Sequence, residues 1–196
     1  GNPNLKPEEI DTYEFAIDYR MTLDWRLNSN IYYYKAKELF AYLPIDDDRV
    51  QLQNSSTQSG TGIELEALWQ TTSDLESKLG VALQRALDEK NNNVADAPNR
   101  QLNTQITWRM TERTKLYAHH RYVANRHRAT FDDRENVADY SLTDLTLSWD
   151  ISSKWFSQVA VKNIFNQKVY EPSSDKIFND YPMEKRSLWV TLSYQH

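Results

Sequence analysis

The strongest constraint in this sequence is an alternation of residue types over its last positions, 186–196. Leu188, Val190, Leu192 and Tyr194 fall on one face of a strand, and Ser187, Thr191, Ser193 and Gln195 fall on the other. Successive side chains of a strand point to opposite faces, so a period of two predicts a β-strand. About ten residues suffice for a tilted strand to cross a bilayer. Taken alone, the segment fits a half-buried strand of a soluble sheet better than a transmembrane strand. The choice between the two depends on the rest of the chain.

The same alternation returns in eight earlier segments, which predicts nine strands. They cover residues 12–21, 25–37, 62–70, 75–87, 101–110, 115–125, 140–150, 155–165 and 186–196. Short connections at 22–24, 71–74, 111–114 and 152–154 alternate strictly with long polar connections at about 38–60, 88–100, 126–139 and 166–185. Tight periplasmic turns and longer outer loops are typical of an antiparallel transmembrane β-barrel.

Tryptophan positions support this all-β fold class. Trp25, Trp69, Trp108, Trp149 and Trp155 all lie within a few residues of a predicted short turn, and the first four share the apolar face of their strands. An indole ring is most stable at the headgroup boundary of a membrane, so such clustering at one level indicates an interfacial girdle. A soluble all-β binding domain is the alternative.

The number of strands bears on domain organisation. Single-chain bacterial barrels have an even number of strands and both termini on the periplasmic side. Nine strands, with a short first connection, would place residues 1–9 outside the cell. We therefore expect residues 1–196 to form the C-terminal part of a larger barrel in the bacterial outer membrane. A small complete barrel with a structural or passive-pore role is the alternative. It conflicts with an odd number of strands unless a short extra strand lies within residues 167–185, and it would become the better interpretation if the chain were complete.

Composition excludes several other classes. Hydrophobic residues make up 39% of the chain, charged residues 26%, and the mean hydropathy is −0.78; a helical membrane protein needs about 18 consecutive apolar residues. The net charge of −5 and the lack of a basic stripe argue against nucleic acid. The chain has no cysteine, so disulfides and thiolate metal sites are excluded. No nucleophile-elbow, phosphate-loop or zinc-protease motif is present, and we expect no enzyme activity.

A series of motifs, in the same order, resembles TonB-dependent outer-membrane receptors. They are the Asn-Pro-x-Leu-Lys-Pro-Glu stretch at residues 2–8 with Thr-Tyr-Glu at 12–14, Gly-x-Glu-x-Glu at 62–66, Ala-Pro at 97–98, Tyr-x-x-x-Asp at 140–144, the Val-Lys-Asn-Ile-Phe-Asn strand end at 161–166 with Val-Tyr-Glu-Pro at 169–172, and the segment 182–188. Two positions depart from the family pattern. Lys185 stands where a glycine is usual, and His196 replaces the usual terminal aromatic residue.

The resemblance implies a receptor that binds a scarce nutrient complex outside the cell and imports it with energy transmitted by TonB. Family frequency makes a ferric siderophore the first expectation for the ligand and cobalamin the second. The family's plug domain, through which the TonB system acts, is not expected within residues 1–196. Besides outer-membrane lipid, the expected partners are therefore TonB and a small-molecule nutrient complex, and no cofactor is implied.

Two groups of residues are candidates for ligand contact. The polar strand face would line the lumen with Glu64, Glu66, Asn103, Gln105 and Arg109, together with Asp18 and Thr107. Aromatic residues of the long connections could stack on an aromatic ligand: Phe40, Tyr42, Phe131, Phe178 and Tyr181. The competing interpretation is that these aromatics pack the loops together.

We expect no metal site. His119 and His120 are neighbours on one predicted strand, so their side chains point to opposite faces and cannot chelate one ion. The acidic run at residues 46–48 lacks the spacing of a calcium loop and is interpreted as solvated charge.

Overall fold

The computed structural model describes residues 1–46, 49–95, 97–129, 132–173 and 177–195. Its strands are β1 (Glu9–Arg20), β2 (Trp25–Pro44), β3 (Val50–Thr72), β4 (Leu75–Asp88), β5 (Arg100–Arg109), β6 (Thr114–Ala124), β7 (Tyr140–Asp150), β8 (Trp155–Lys162), β9 (Tyr170–Glu171), β10 (Tyr181–Pro182) and β11 (Ser187–Tyr194). Nine of them form one antiparallel sheet in the order β1 to β8, then β11. Within the described ranges, no helix is long and apolar enough to cross a membrane.

The predicted nine-stranded antiparallel sheet is confirmed, but two of its connections differ from expectation. The expected loop at 38–60 is wrong, because β2 and β3 continue into it as a long hairpin that pairs as far as Pro44 with Val50. A bulge at Glu38, which has a φ of 55°, interrupts the pairing. In the connection after β8, the two-residue strands β9 and β10 pair with each other and form a ribbon separate from the sheet.

The register divides the sheet into an apolar and a polar face. Residues paired across antiparallel strands share a face, and one such row consists of Phe15, Ile31, Ile63 and Leu83. The adjacent strand positions form the polar face. No side chain among the described residues is both large and fully buried, and large hydrophobic side chains are exposed along every strand of the sheet. A soluble domain of this size would bury a core, whereas a membrane barrel presents this face to lipid.

Hydroxyl side chains stabilise all four short turns. Thr22, Thr72, Thr111 and Ser152 each accept a hydrogen bond at the side-chain oxygen from the backbone N–H two residues later. Thr22 and Ser152 accept a second one from the residue that starts the next strand. These turns therefore need no glycine, which explains how four hairpins form in a chain with only four glycines.

The line of short turns is inclined to the rows of paired residues, which run perpendicular to the strands. Trp25, the first residue of β2, lies in a row that continues through Trp69, Ser77, Ile106, Ala118 and Leu145 to Val161 on β8. Val161 lies six residues beyond Trp155, where β8 begins. The level of the short turns thus shifts by one residue per strand relative to the row of paired residues. With a rise of about 3.3 Å per residue and a strand spacing of about 4.8 Å, this shift corresponds to a tilt of about 35°, as in closed barrels.

The tryptophans lie at one level, as predicted. All five are on the apolar face next to a short turn, and Trp155 shares that face with the other four. The rings of Trp25 and Trp69 stack with centroids 5.0 Å apart. The rings of Trp155 and Tyr194 are 4.8 Å apart. One stacked indole pair and one tilted tryptophan–tyrosine pair therefore lie at the turns, at the level of the interfacial girdle that the sequence indicates.

Candidate functional site

The polar face of the sheet carries the charged and amide side chains that the sequence predicts there. Strand register places Glu64, Glu66, Asn103, Gln105 and Arg109 on this face, together with Asp18 and Thr107. Glu66 is paired with Lys78 at 2.6 Å, and Arg109 lies 3.8 Å from Asp74. Their position on one common face follows from the register. Their exposure to a lumen stays a prediction.

Two tyrosines, which the sequence interpretation did not select, also lie on the polar face. The ring of Tyr32 lies against Gly62, where a Cβ atom would come within 2.3 Å of it, and Tyr34 lies against Gly60 in the same way. The Tyr32 hydroxyl donates to Gln84 at 3.0 Å. Both glycines therefore allow the close approach of a neighbouring aromatic ring, which gives a physical reason for the glycine of the Gly-x-Glu-x-Glu motif.

The predicted ligand-contacting aromatics do not come together. Phe40 and Tyr42 lie on the extension of β2, whereas Phe178 and Tyr181 lie in the connection that contains β9 and β10. Tyr42 is 72% exposed and Phe178 is 92% exposed, so neither packs the loops together. Phe131 lies outside the described residues. A role of these residues in ligand contact stays a prediction.

A network of ion pairs, here called the loop junction, joins the β6–β7 and β8–β11 connections. It consists of Arg128, Asp132, Arg134, Ser173 and Asp180. Arg128 donates to both carboxylate oxygens of Asp180, at 2.8 and 2.6 Å. Arg134 donates to both oxygens of Asp132 at 2.8 and 2.6 Å, and to the hydroxyl and carbonyl oxygens of Ser173 at 3.1 and 3.0 Å. Bidentate pairs of this kind fix relative orientation as well as distance.

The same ion pairs shift the pKa values of the two carboxyl groups. The hydrogen bonds from Arg134, assisted by the nearby charge of Arg128, lower the pKa of Asp132 to about 2. The hydrogen bond from Arg128 lowers the pKa of Asp180. Both carboxylates are therefore ionised throughout the physiological pH range, where they carry the charge that their arginine partners bind.

Beside the loop junction, a cationic pocket of about 340 Å³ opens at the loop end of the polar face. It is lined by Pro98, Gln101, Arg121, Val123, Arg126, Tyr140, Glu171 and Pro172. We call it the junction pocket. The sequence interpretation treated this region only as a charged loop. Its one local signal is that three arginines, at positions 126, 128 and 134, fall within a single connection.

Two guanidinium groups face one ring in the junction pocket. Arg126 is 4% exposed and lies 4.6 Å from the centroid of the Tyr140 ring, and Arg121 lies 5.8 Å from it. Arg126 donates to the Tyr170 carbonyl at 2.9 Å and to Glu171 at 3.2 Å. Within the described parts of the chain, Arg121 has no carboxylate partner. The pocket therefore has an unneutralised positive charge next to an aromatic surface, which suits an anionic group.

Asn163 organises the connection that carries β9 and β10. It has a φ of 49° and is 4% exposed. Its backbone N–H donates to Asp144 at 2.7 Å. Its side-chain amide donates to the carbonyls of Gln167 and Glu184, at 2.9 and 3.2 Å, and accepts from the Gln167 N–H at 2.9 Å. The motifs at 140–144 and 161–166 thus meet at one corner of the fold.

The two adjacent histidines lie on opposite faces, as predicted. His119 is aligned with Gln105 and Asp144 on the polar face, and His120 contacts the Thr143 hydroxyl at 2.9 Å on the other. Asp46 pairs with Arg49 at 2.5 Å, while residues 47 and 48 of the acidic run lie outside the described residues. In the described ranges, no group of three or more His, Asp or Glu side chains is arranged to hold a metal ion.

Known proteins resemble this chain in sequence and in fold. The family model described as TonB dependent receptor-like, beta-barrel, matches residues 1–166. The vitamin B12 transporter BtuB of Photobacterium profundum is 23% identical over 208 residues, which cover 100% of this chain and 31% of BtuB.

Two solved receptors share the fold at low sequence identity. The ferric-catecholate import receptor Fiu of E. coli K12 superposes with a TM-score of 0.77 at 15% identity, covering 98% of this chain and 28% of Fiu. The ferric yersiniabactin uptake receptor FyuA of Yersinia pestis gives 0.78 at 18% identity, covering 95% and 30%. The chain therefore spans about a third of the length of the relatives it matches.

Proposed function

Since this chain belongs to the TonB-dependent receptor β-barrel family, an outer-membrane family, we propose that it serves the TonB-energised uptake of a nutrient complex. It would form the C-terminal part of the receptor's barrel, and TonB would act through a plug domain outside residues 1–196. The observation that carries the proposal is the two-faced tilted sheet. Its apolar face suits lipid, and its polar face suits a lumen that ends at the junction pocket.

We infer that the transported ligand is a ferric siderophore. The junction pocket supports this choice, because Arg121, Arg126 and Tyr140 offer positive charge and an aromatic surface to an anionic, ring-bearing complex. Ferric complexes are also named for the structural relatives Fiu and FyuA. Cobalamin is the second candidate, since BtuB, the relative found by sequence, is a vitamin B12 transporter.

Uptake by cells distinguishes the two ligands. A strain lacking the gene for the full receptor is tested with ⁵⁵Fe-labelled siderophores and with labelled cobalamin. We expect uptake of one ferric siderophore to be lost, to return with the complementing gene, and to be lost again when TonB is removed. A defect in cobalamin uptake alone would instead support the second candidate. Normal uptake of every compound by the deletion strain would refute a role in uptake.

Binding by the purified full receptor tests the residues. Arg121→Gln removes a charge from the junction pocket, and a lost charge-assisted hydrogen bond of about 1.5–3 kcal/mol raises Kd by about ten-fold or more. Arg113→Gln, in the turn at the opposite end of β6, is the matched control and should leave Kd unchanged. The double substitution Tyr42→Ala and Tyr181→Ala tests the predicted aromatic contacts. An unchanged Kd by equilibrium titration would exclude those two tyrosines.

A further inference from the structure

The apolar face ends in a row of tyrosines and then a row of cations, both at the long-connection end. Tyr33 and Tyr122 each lie eight residues beyond the start of their strands, β2 and β6. Tyr13 on β1 pairs with Tyr33 and lies at the same level. Lys35 and Arg85 follow at ten residues from the start of β2 and β4. Arg100 lies nine residues before the end of β5.

Strand register places these three cations on the apolar face. Lys35 pairs with Ser59, Arg85 with Thr61, and Arg100 with Leu83. Between the short turns and the level of the tyrosines, this face carries no Asp, Glu, Lys or Arg in the described strands. Eight residues tilted by about 35° span about 22 Å, close to the apolar band of about 25 Å in outer-membrane barrels. The cations therefore begin where the hydrocarbon ends.

These cations have no protein partners among the described residues. The side chains of Lys35, Arg85 and Arg100 take part in none of the hydrogen bonds or ion pairs there, and all three are exposed. By contrast, Lys78 on the polar face pairs with Glu66. On the apolar face itself, Lys37 lies 3.5 Å from Asp11. Asp139, the carboxylate beside Tyr122, is already hydrogen-bonded to the Tyr122 hydroxyl and the Asn125 N–H.

We propose that Arg85 and Arg100, with Lys35 beside them, bind the phosphate headgroup of an anionic lipid in the outer leaflet. Arg85 and Arg100 are diagonal neighbours on adjacent strands, about 7–8 Å apart at their Cα atoms, so both can reach one headgroup. Guanidinium groups bind phosphate in a bidentate way. Tyr33 and Leu83 line the same surface depression as the two arginines and supply the apolar contact that the upper acyl chain needs.

The site is independent of the transported ligand, because it lies on the outer surface of the sheet. A guanidinium on the lipid face costs about 2–4 kcal/mol at the bilayer midplane and about 0–1 kcal/mol near its boundary. Arginine is therefore tolerated at this level. Within the described ranges neither arginine forms an ion pair with a protein carboxylate, which leaves the lipid phosphate as the counter-ion.

Lipid titration of the purified full receptor in detergent tests the proposal. The probe is diphosphoryl lipid A, and the bound fraction is measured by native mass spectrometry. We expect the R85Q/R100Q variant to bind it at least ten-fold more weakly than the wild type. The control R113Q/K154Q removes two exposed cations from the short turns and should bind within two-fold of the wild type. Equal binding by R85Q/R100Q and the wild type would overturn the proposal.

Two further experiments require only the wild-type receptor, so they test the proposal even if the R85Q/R100Q variant does not fold. Lipid A stripped of both phosphates should bind at least ten-fold more weakly than the diphosphoryl form. Inorganic phosphate at millimolar concentration should not displace the lipid, because it lacks the acyl contacts. Equal affinity for the two lipids would show that the acyl chains alone are recognised. Displacement by free phosphate would show an anion site that is not specific for lipid.

Discussion

Replacement of Asn163 should disturb the connection after β8 strongly, because its buried side chain makes several hydrogen bonds. Asn163→Ala removes three hydrogen bonds of a buried side-chain amide, to the Gln167 N–H and to the carbonyls of Gln167 and Glu184. At a net value of about 1 kcal/mol each, their loss costs about 3 kcal/mol. The φ of 49° adds about 1 kcal/mol for alanine, whose Cβ disfavours left-handed backbone. The total is about 4 kcal/mol.

Hydrogen exchange in the full receptor measures this loss locally. The connection after β8 should lose protection by about three orders of magnitude, since each 1.4 kcal/mol corresponds to a factor of ten. Asn163→Gly keeps the left-handed backbone accessible and should lose only about two orders of magnitude. The comparison of the two variants therefore separates the hydrogen bonds from the backbone strain.

Asn166→Ala is the matched control. Asn166 also has a left-handed backbone, with a φ of 53°, but it is exposed and its side chain accepts one hydrogen bond, from the Arg186 N–H at 3.2 Å. The backbone penalty is thus the same, about 1 kcal/mol, and one hydrogen bond adds about 1 kcal/mol, so we expect a loss of protection of about 30-fold. If Asn163→Ala lost no more protection than Asn166→Ala, the side-chain bonds of Asn163 would not be what holds this connection.

Two other perturbations address the polar face and the loop junction. Gly62→Ala should lower the free energy of unfolding of the full receptor by about 1–3 kcal/mol, since its Cβ would lie 2.3 Å from the Tyr32 ring. In the control Gly80→Ala, the nearest atom would lie 3.9 Å from the new Cβ. Equal losses of stability in the two variants, measured by thermal unfolding, would contradict the argument. Because the pKa of Asp132 is lowered to about 2, its stabilisation of the loop junction is complete above its unfolded pKa of about 3.9 and is lost as the pH falls towards 2. Hydrogen exchange in the β6–β7 connection, corrected for the intrinsic rate, should rise over that window in the wild type. In Asp132→Asn it should rise less, because only Asp180 of the two loop-junction carboxylates still titrates there.

Strand faces could be predicted from the sequence because a period of two is a local property. The assignment of Leu188, Val190, Leu192 and Tyr194 to one face needs only the alternation, and the register bears it out. The β2–β3 extension could not be predicted in this way. Its strand residues around Asn54 are polar and show no alternation, and Asn54 is held by contacts that are distant in sequence. Its side-chain amide bonds to the backbone of Lys6 and Glu38.

The residues of the candidate site likewise divide into those that local alternation predicts and those that depend on contacts distant in sequence. The lumen-type residues are predictable, because parity along a strand places Glu64 and Glu66 on one face. The loop junction is not, because Arg128 and Asp180 are 52 positions apart and nothing local indicates their pairing. The aromatic candidates were selected by residue type alone. The structure places Tyr42 and Tyr181 on separate hairpins, since nothing in the sequence fixes where a long connection folds back.

The position of a residue in the membrane depends on its strand face and on its distance from a short turn. Together these two properties explain where charged residues begin at the long-connection end of the apolar face. Parity gives the face, and the distance from a hydroxyl-stabilised turn gives the depth. Asp11, Lys35, Arg85 and Arg100 come from four strands and lie far apart in the sequence, yet they fall at the same depth on the same face. Charge on the lipid face is costly below this level and tolerated above it. Selection against buried charge accounts for where the charged residues begin, but not for the excess of positive charge among them. An anionic headgroup layer at that level would account for this excess of positive charge.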